Sequence, residues 1–228
     1  MSNTKYYLSN FFKGILAGMS IGLGGFLYIL MTYLFKYKDM EMGKILGSLL
    51  FSIGLFLVCT FSLSLYTGKI GLIYEGRKTK EVYISLPIML IGNAIGAFSL
   101  GYLCFFIFKD TKLYTTALTV AKSRLVFNNG YDFITTMIRA FLCGLCVYLA
   151  VKCFSLNRLK PVGIFLLVFF VFIFVYSGFQ HCIANMFYFG MANTMKWETF
   201  MNLFLVILFN SFGPIVGVLT FNLFSKNK

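Results

Sequence analysis

The chain contains a single histidine, His181, which lies far from either end of a long apolar run. Ionisable side chains at such positions are costly in a membrane, so they usually face the protein interior or a water-filled cavity. Because histidine changes charge near neutral pH, His181 can donate a proton or present a switchable charge to a small solute. The alternative is a neutral histidine that is hydrogen-bonded within a helix interface.

Two other places carry groups suited to anions. Thr67 and Gly68 lie where the second apolar run is interrupted, and a threonine hydroxyl beside freed backbone N–H groups can hold an anion. Lys122 and Arg124 stand beside a long polar connection, where their charges can raise the local concentration of anions. The alternatives are an ordinary helix end and solvated loop charges.

Several other kinds of chemistry find no support in the sequence. It has no phosphate-binding loop, no Ser/His/Asp set, no paired carboxylates and no cluster of metal ligands, so we expect neither an enzyme nor a cofactor. Cys143 and Cys146 form a C-x-x-C pair, but without a second pair they fit a helix interface better than a zinc or redox site. None of the seven acidic residues lies in the middle of an apolar run, which argues against a cation pump.

The elements that must position these residues are membrane-spanning helices. Apolar residues make up 59% of the 228 residues and charged residues only 12%, about half the charged fraction of a soluble domain. A span needs about 20 apolar residues. The sequence therefore predicts an all-α membrane protein with one transmembrane domain, residues 1–228, and six transmembrane helices. The predicted spans are 11–33, 45–66, 82–108, 133–154, 161–186 and 199–224.

The net charge of +13 comes from short basic clusters between the apolar runs. This distribution is typical of loops beside anionic lipid headgroups, so we expect membrane lipid as a partner and no nucleic acid. Basic residues on the side of the termini outnumber those on the other side by eleven to eight. The bias predicts a multi-pass protein of the cytoplasmic membrane with both termini in the cytoplasm.

Grouping the spans three and three indicates an inverted repeat, residues 11–108 and 133–224. The second span of each half contains a polar break, the first at residues 62–69 and the second at residues 177–185. Gly92-Asn93-Ala-Ile-Gly96 of the third span aligns with Gly213-Pro214-Ile-Val-Gly217 of the sixth. Broken helices in inverted repeats place a solute path at the membrane midplane. The path can serve a small anion or, alternatively, water and small neutral solutes.

These residues resemble the formate/nitrite transporter family. The segment Gly178-Phe-Gln-His181-Cys-Ile-Ala-Asn185-Met186 is similar to the family signature G-F-E-H-S-I-A-N-M. Two other stretches agree in order, and both are similar to helices of the family. They are Phe51-Ser-Ile-Gly-Leu55 with Leu65-Tyr-Thr67-Gly, and Arg139-Ala-Phe-Leu-Cys143-Gly-Leu-Cys-Val-Tyr-Leu-Ala-Val. The resemblance implies an aquaporin-like protomer with broken second and fifth helices, and a homopentamer in which each protomer has its own path.

The resemblance also implies roles for particular residues. His181 would contact the substrate, Thr67 would lie opposite it, and Lys122 would draw anions to the outer side. Gln180 and Asn185 would lie on the same path. Two apolar constrictions around the histidine would be formed by Phe51, Leu55, Leu65 and Phe174.

Two departures from the family pattern bear on specificity. Gln180 stands where the family has Glu, which leaves His181 neutral more of the time, and Gly144 stands where the family has Asn. The expected function is therefore a channel or transporter for a small monovalent anion: formate, nitrite or hydrosulfide. The anion would cross as, or nearly as, the neutral acid through His181, or alternatively as the bare anion past a permanently charged His181.

Overall fold

The computed structural model describes residues 3–76, 79–125, 133–156 and 159–225, and all regular structure within these ranges is helical. The basic residues Arg77, Lys78, Arg158, Lys226 and Lys228, which contribute to the predicted orientation, lie outside the described residues.

Eleven helices follow one another along the described residues. They are α1 (Asn3–Phe35), α2 (Met40–Thr60), α3 (Tyr66–Lys69), α4 (Gly71–Tyr74), α5 (Lys80–Phe108), α6 (Lys112–Lys122), α7 (Phe133–Leu156), α8 (Lys160–Tyr176), α9 (Cys182–Met191), α10 (Trp197–Phe212) and α11 (Pro214–Ser225).

Five helical segments are long and apolar enough to cross a membrane: α1, α2, α5, α7 and the continuous α10–α11 segment. The remaining apolar segment is divided into α8 and α9, of 17 and 10 residues. Large apolar side chains such as Phe106, Phe165 and Phe204 are exposed on the outside of the helices. An outer surface of this kind fits the hydrocarbon of a bilayer.

The helix α2 ends at Thr60, six residues before the end of the predicted second span. Residues 61–65 form the break, in which Ser62 has a φ of 51°, a conformation that a helix cannot continue through. Thr67 and Gly68 lie after the break, inside the short helix α3. The observed break therefore overlaps the first part of the predicted polar break, residues 62–69. The helix ends before the predicted span does because the backbone already leaves the helix at Ser62.

A second break separates α8 from α9 at residues 177–181, where the sequence predicts an interruption. Gly178 has a φ of 68°, a conformation open to glycine without strain. His181 then caps α9, since its side chain accepts a hydrogen bond from the Ala184 N–H. All ten residues of α9 are buried, so this short helix forms the centre of the bundle.

The long helices pack with very close backbones at two crossings. A Cβ added at Gly18 of α1 would lie 2.1 Å from the Asn93 carbonyl oxygen of α5, and one at Gly144 of α7 would lie 2.2 Å from the Asn210 carbonyl oxygen of α10. Side chains do not fit at such distances, so glycine is required for these crossings. This explains why Gly144 has no amide side chain at its position in α7.

Candidate functional site

The two breaks bring Thr67 and His181 together in the interior. Thr67 Oγ1 lies 3.0 Å from His181 Nε2, and both residues are buried, with His181 only 2% exposed. The Ala184 N–H donates to His181 Nδ1 at 3.2 Å. A backbone N–H can only donate, so Nδ1 accepts and the proton of the neutral imidazole lies on Nε2. The imidazole N–H therefore donates to Thr67 and leaves the threonine hydroxyl proton for a further acceptor.

Asn93 of α5 holds the first break in place. Its Oδ1 accepts from the backbone N–H of Tyr66 at 2.8 Å, and its Nδ2 donates to the carbonyl oxygens of Gly14 and Ser64 at 2.8 and 2.9 Å. Asn93 is fully buried. Its side chain thus satisfies backbone groups that the break leaves without helical partners.

Asn210 of α10 makes the corresponding contacts at the second break. Its Oδ1 accepts from the Cys182 N–H at 2.9 Å, and its Nδ2 donates to the carbonyl oxygens of Ala140 and Gln180 at 2.6 and 2.8 Å.

The two asparagines therefore correspond in the hydrogen bonds they make, and each is followed three residues later by a glycine, Gly96 or Gly213. The alignment of Gly92 with Gly213 that the sequence suggested is wrong by four positions. The shared N-x-x-G spacing was the signal that could have identified both asparagines.

Aromatic rings close the space beside the histidine. The rings of Phe51 and Phe174 meet nearly at right angles with centroids 5.7 Å apart, and the Phe174 ring lies 5.8 Å from the imidazole. Leu55 and Leu65 are buried in the same core, each 1% exposed. Leu65 directly precedes α3, two residues before Thr67. The structure thus brings Phe51, Phe174, Thr67 and His181 into one buried region.

Arg124, rather than Lys122, lies beside this region. Lys122 ends α6 and is exposed, whereas Arg124 is 93% buried after the chain turns inward. The Arg124 Nη1 donates to the Phe179 carbonyl oxygen at 3.0 Å, and the guanidinium lies 5.4 Å from the centre of the Tyr188 ring. Its Nε is buried and has no hydrogen-bond partner among the described residues. Within the described part of the chain, Arg124 is therefore a buried cation without an ion-pair partner, and it lines the same small cavity as His181.

A chain of amides surrounds Arg124. Gln180 Nε2 and Asn202 Nδ2 both donate to the Arg124 carbonyl oxygen, at 3.0 and 2.6 Å. Asn185 Nδ2 donates in turn to Gln180 Oε1 at 2.7 Å and to Asn202 Oδ1 at 3.2 Å. All three amides are buried. Asn202 belongs to this set although the sequence analysis did not single it out.

The Arg124 side of the site contains a cavity of about 10 Å³, whose wall includes Arg124, His181, Asn185, Phe51 and Phe174. A space of this size has room for roughly one water molecule.

The opposite side, beyond Leu65, is more open. Two adjoining cavities of about 170 and 270 Å³ share Gly68 and Lys69 in their walls. The second also contains an ion pair in which Lys152 Nζ lies 2.6 Å from Glu75 Oε1. The Thr67–His181 pair thus has a small cavity beside His181 and two larger cavities near Gly68, which follows Thr67.

The arrangement suits a small anion better than a cation. The groups facing the centre are an imidazole N–H, a threonine hydroxyl and a permanent guanidinium charge, which all favour negative charge. The aromatic rings exclude a hydration shell, so a charged solute can enter only where such groups replace its water. Neither of the described ion pairs lies at this centre.

Comparison with known proteins gives consistent results. The family model described as formate/nitrite transporter matches residues 3–224. The formate channel FocA of Escherichia coli (strain K12) is 27% identical over 201 residues, covering 85% of this chain and 69% of that protein. The uncharacterized transporter YrhG of Bacillus subtilis (strain 168) is 30% identical over 217 residues, covering 90% of this chain and 80% of that protein.

Solved structures share the fold. A pentameric formate channel with formate bound superposes with a TM-score of 0.80 at 24% identity, covering 98% of this chain and 99% of that chain. An FNT family ion channel superposes with a TM-score of 0.72 at 19% identity, covering 98% and 91%. With a family model that matches nearly the whole chain and the same helical fold, the protein belongs to the formate/nitrite transporter family, a family of membrane channels and transporters.

Proposed function

We propose that this protein conducts a small monovalent anion, formate, nitrite or hydrosulfide, across the cytoplasmic membrane. The observation that carries the proposal is the buried Arg124 charge beside the Thr67–His181 pair, in a region narrowed by aromatic rings. A cation in that position would be repelled, whereas an anion gains an attraction that offsets part of its dehydration. The name of the Escherichia coli relative, a formate channel, agrees with this substrate class.

The proposed mechanism couples the anion to a proton. Arg124 draws the anion toward the small cavity, and Phe51, Leu55, Leu65 and Phe174 bar its hydration shell. Moving a bare charge through such a constriction is costly, so the anion takes up a proton supplied by water on the side of entry. It then crosses as, or nearly as, the neutral acid at Thr67 and His181. The Ala184 N–H bond to His181 Nδ1 supports a neutral imidazole over a permanently charged one, because a cationic ring would set its Nδ1–H against that donor.

The architecture in the membrane is part of the proposal. It consists of one transmembrane domain with six spans, α8 and α9 together forming the fifth, and two inverted halves at residues 11–108 and 133–224 as in aquaporins. The matching hydrogen bonds of Asn93 and Asn210 support the repeat. We further propose a homopentamer with a separate path in each protomer, embedded in lipid with both termini in the cytoplasm. The pentameric formate channel of the same fold supports this assembly.

Uptake by the purified protein in liposomes tests the function. We expect at least one of labelled formate, nitrite and hydrosulfide to enter faster than into protein-free liposomes, while sodium does not. Liposomes that swell rapidly in glycerol or water without any anion uptake would favour the alternative, a channel for water or small neutral solutes.

Arg124 and Lys122 are expected to differ strongly in their effects on uptake. Arg124→Gln should lower the initial rate about tenfold, because a buried charge a few ångströms from the anion acts through a low effective dielectric constant. Lys122→Ala should slow uptake by less than about twofold and mainly at low anion concentration, since an exposed lysine acts by attracting anions. Both rates are measured in liposomes against anion concentration.

Lys112→Ala, at the exposed start of α6, is the matched control for Lys122→Ala. Arg124→Lys keeps the positive charge but changes the shape of the side chain, so it shows whether the charge alone is sufficient for uptake. An equal fractional loss for Lys122→Ala at all concentrations would indicate a structural role, and full uptake by Arg124→Gln would exclude Arg124 from the path.

A further inference from the structure

The amide chain beside Arg124 has only one possible orientation. A carbonyl oxygen can only accept, so the Arg124 carbonyl fixes the amide nitrogens of Gln180 and Asn202 toward itself. Their side-chain oxygens then face Asn185, and both Asn185 Nδ2 hydrogens are used on them. Flipping Asn185 would set its oxygen against two other oxygens.

Two polar atoms of the residues that line the small cavity have no hydrogen-bond partner in the described part of the chain. One is an acceptor, Asn185 Oδ1, and the other is a donor, the Nε–H of Arg124. Asn185 is 0% exposed. Buried polar atoms are nearly always hydrogen-bonded, so an unpaired donor and an unpaired acceptor on two residues that line one cavity favour a ligand that supplies the complement of each.

We propose that the site favours an anion with one heavy atom that both accepts and donates a hydrogen bond, which is hydrosulfide, over formate and nitrite. The inference rests on the proposed function and assigns a substrate to the same site. Hydrosulfide accepts from the Arg124 Nε–H and donates its S–H to Asn185 Oδ1.

Formate and nitrite fit less well for two separate reasons. Each has three heavy atoms and therefore needs a larger expansion of the cavity of about 10 Å³ than hydrosulfide does. As anions, both offer only acceptors, so Asn185 Oδ1 would stay unpaired beside a negative charge. Gln180 thereby becomes a positioning residue for specificity, because its amide both donates to Arg124 and accepts from Asn185, which a carboxylate cannot do.

Initial uptake rates of labelled hydrosulfide, formate, nitrite and chloride into the same liposomes test the inference, with rates into protein-free liposomes subtracted. Chloride distinguishes the effect of size from the effect of hydrogen bonding, because it has one heavy atom, like hydrosulfide, but no hydrogen to donate. We expect hydrosulfide to enter about tenfold faster than each of the other three, the size of effect that one buried unpaired polar group produces.

Two variants test the hydrogen-bond acceptor and the cavity size separately. Asn185→Ala removes the acceptor and should bring the hydrosulfide-to-chloride ratio down toward one. Phe174→Leu widens the cavity and should raise formate uptake relative to hydrosulfide while leaving the hydrosulfide-to-chloride ratio unchanged.

Formate or nitrite uptake as fast as that of hydrosulfide in the wild-type protein would overturn the inference and leave the proposed function intact, and this comparison needs no variant to fold. An unchanged hydrosulfide-to-chloride ratio in a properly assembled Asn185→Ala protein would also overturn it. Failure of all four anions to enter would contradict the proposed function itself.

Discussion

Replacing His181 with asparagine is expected to lower anion uptake about 100-fold, the usual effect of losing a group that transfers a proton, and to flatten its dependence on pH. The substitution removes the Nε2–H that contacts Thr67. Asparagine is a strong N-cap residue, so it can still accept from the Ala184 N–H and keep the start of α9 intact. Uptake into liposomes is measured from about pH 5 to 8, the range in which an ordinary histidine changes charge.

Thr67→Val is a useful companion variant, because it removes the hydroxyl opposite His181 with little change in shape and leaves a titrating imidazole in place. It should slow uptake but keep the pH dependence. If the His181→Asn protein retains the wild-type pH profile, His181 is not the titrating group, and the proton-linked mechanism loses its candidate in this chain.

The Asn210→Leu variant is expected to lose more than about 3 kcal/mol of stability. Leucine has a similar size but cannot bond the Cys182 N–H or the Gln180 carbonyl oxygen, and each buried group left unpaired costs about 1–3 kcal/mol. For a chain of this length such a loss lowers the melting temperature by roughly 10 °C. Thermal unfolding of the detergent-solubilised protein measures the change, and crosslinking in native membranes follows the expected pentamer.

Asn222→Leu supplies the matched control, since Asn222 is an exposed asparagine on α11. It should melt within about 2 °C of the wild-type protein, because water can replace the interactions of an exposed side chain. If Asn210→Leu behaves like this control, the side chain of Asn210 is not what holds the second break.

Hydropathy located the long helices well, because a bilayer imposes one length and one composition on every span. It placed the end of the second span six residues too late, because a polar run is visible in a sequence but the φ of Ser62 is not. The pairing of Thr67 with His181 joins residues 114 positions apart. Only the resemblance to a family indicated that contact, because no local pattern encodes it.

The amide chain was beyond sequence reasoning for a different reason. Lys122 and Arg124 are both cations in one polar stretch, and nothing in their types shows that the chain turns inward after Lys122. Asn202 lies among apolar residues of α10, where an asparagine is equally compatible with a lipid-facing end or a buried contact. Only the tertiary structure shows that Asn202 is buried.

The fully buried helix α9 has a consequence for how the protein is made. Ten residues rise about 15 Å along a helix, half of the hydrocarbon thickness, so α9 is too short to be inserted as a span of its own. The translocation machinery selects segments by apolar length, and α9 does not meet that requirement without α8. The hydrogen bond from the first N–H of α9 to Asn210 can form only after α10 has been synthesised. The site is therefore completed only when the C-terminal part of the chain has been synthesised. A nascent chain arrested before α10 would lack the contact between Asn210 and α9.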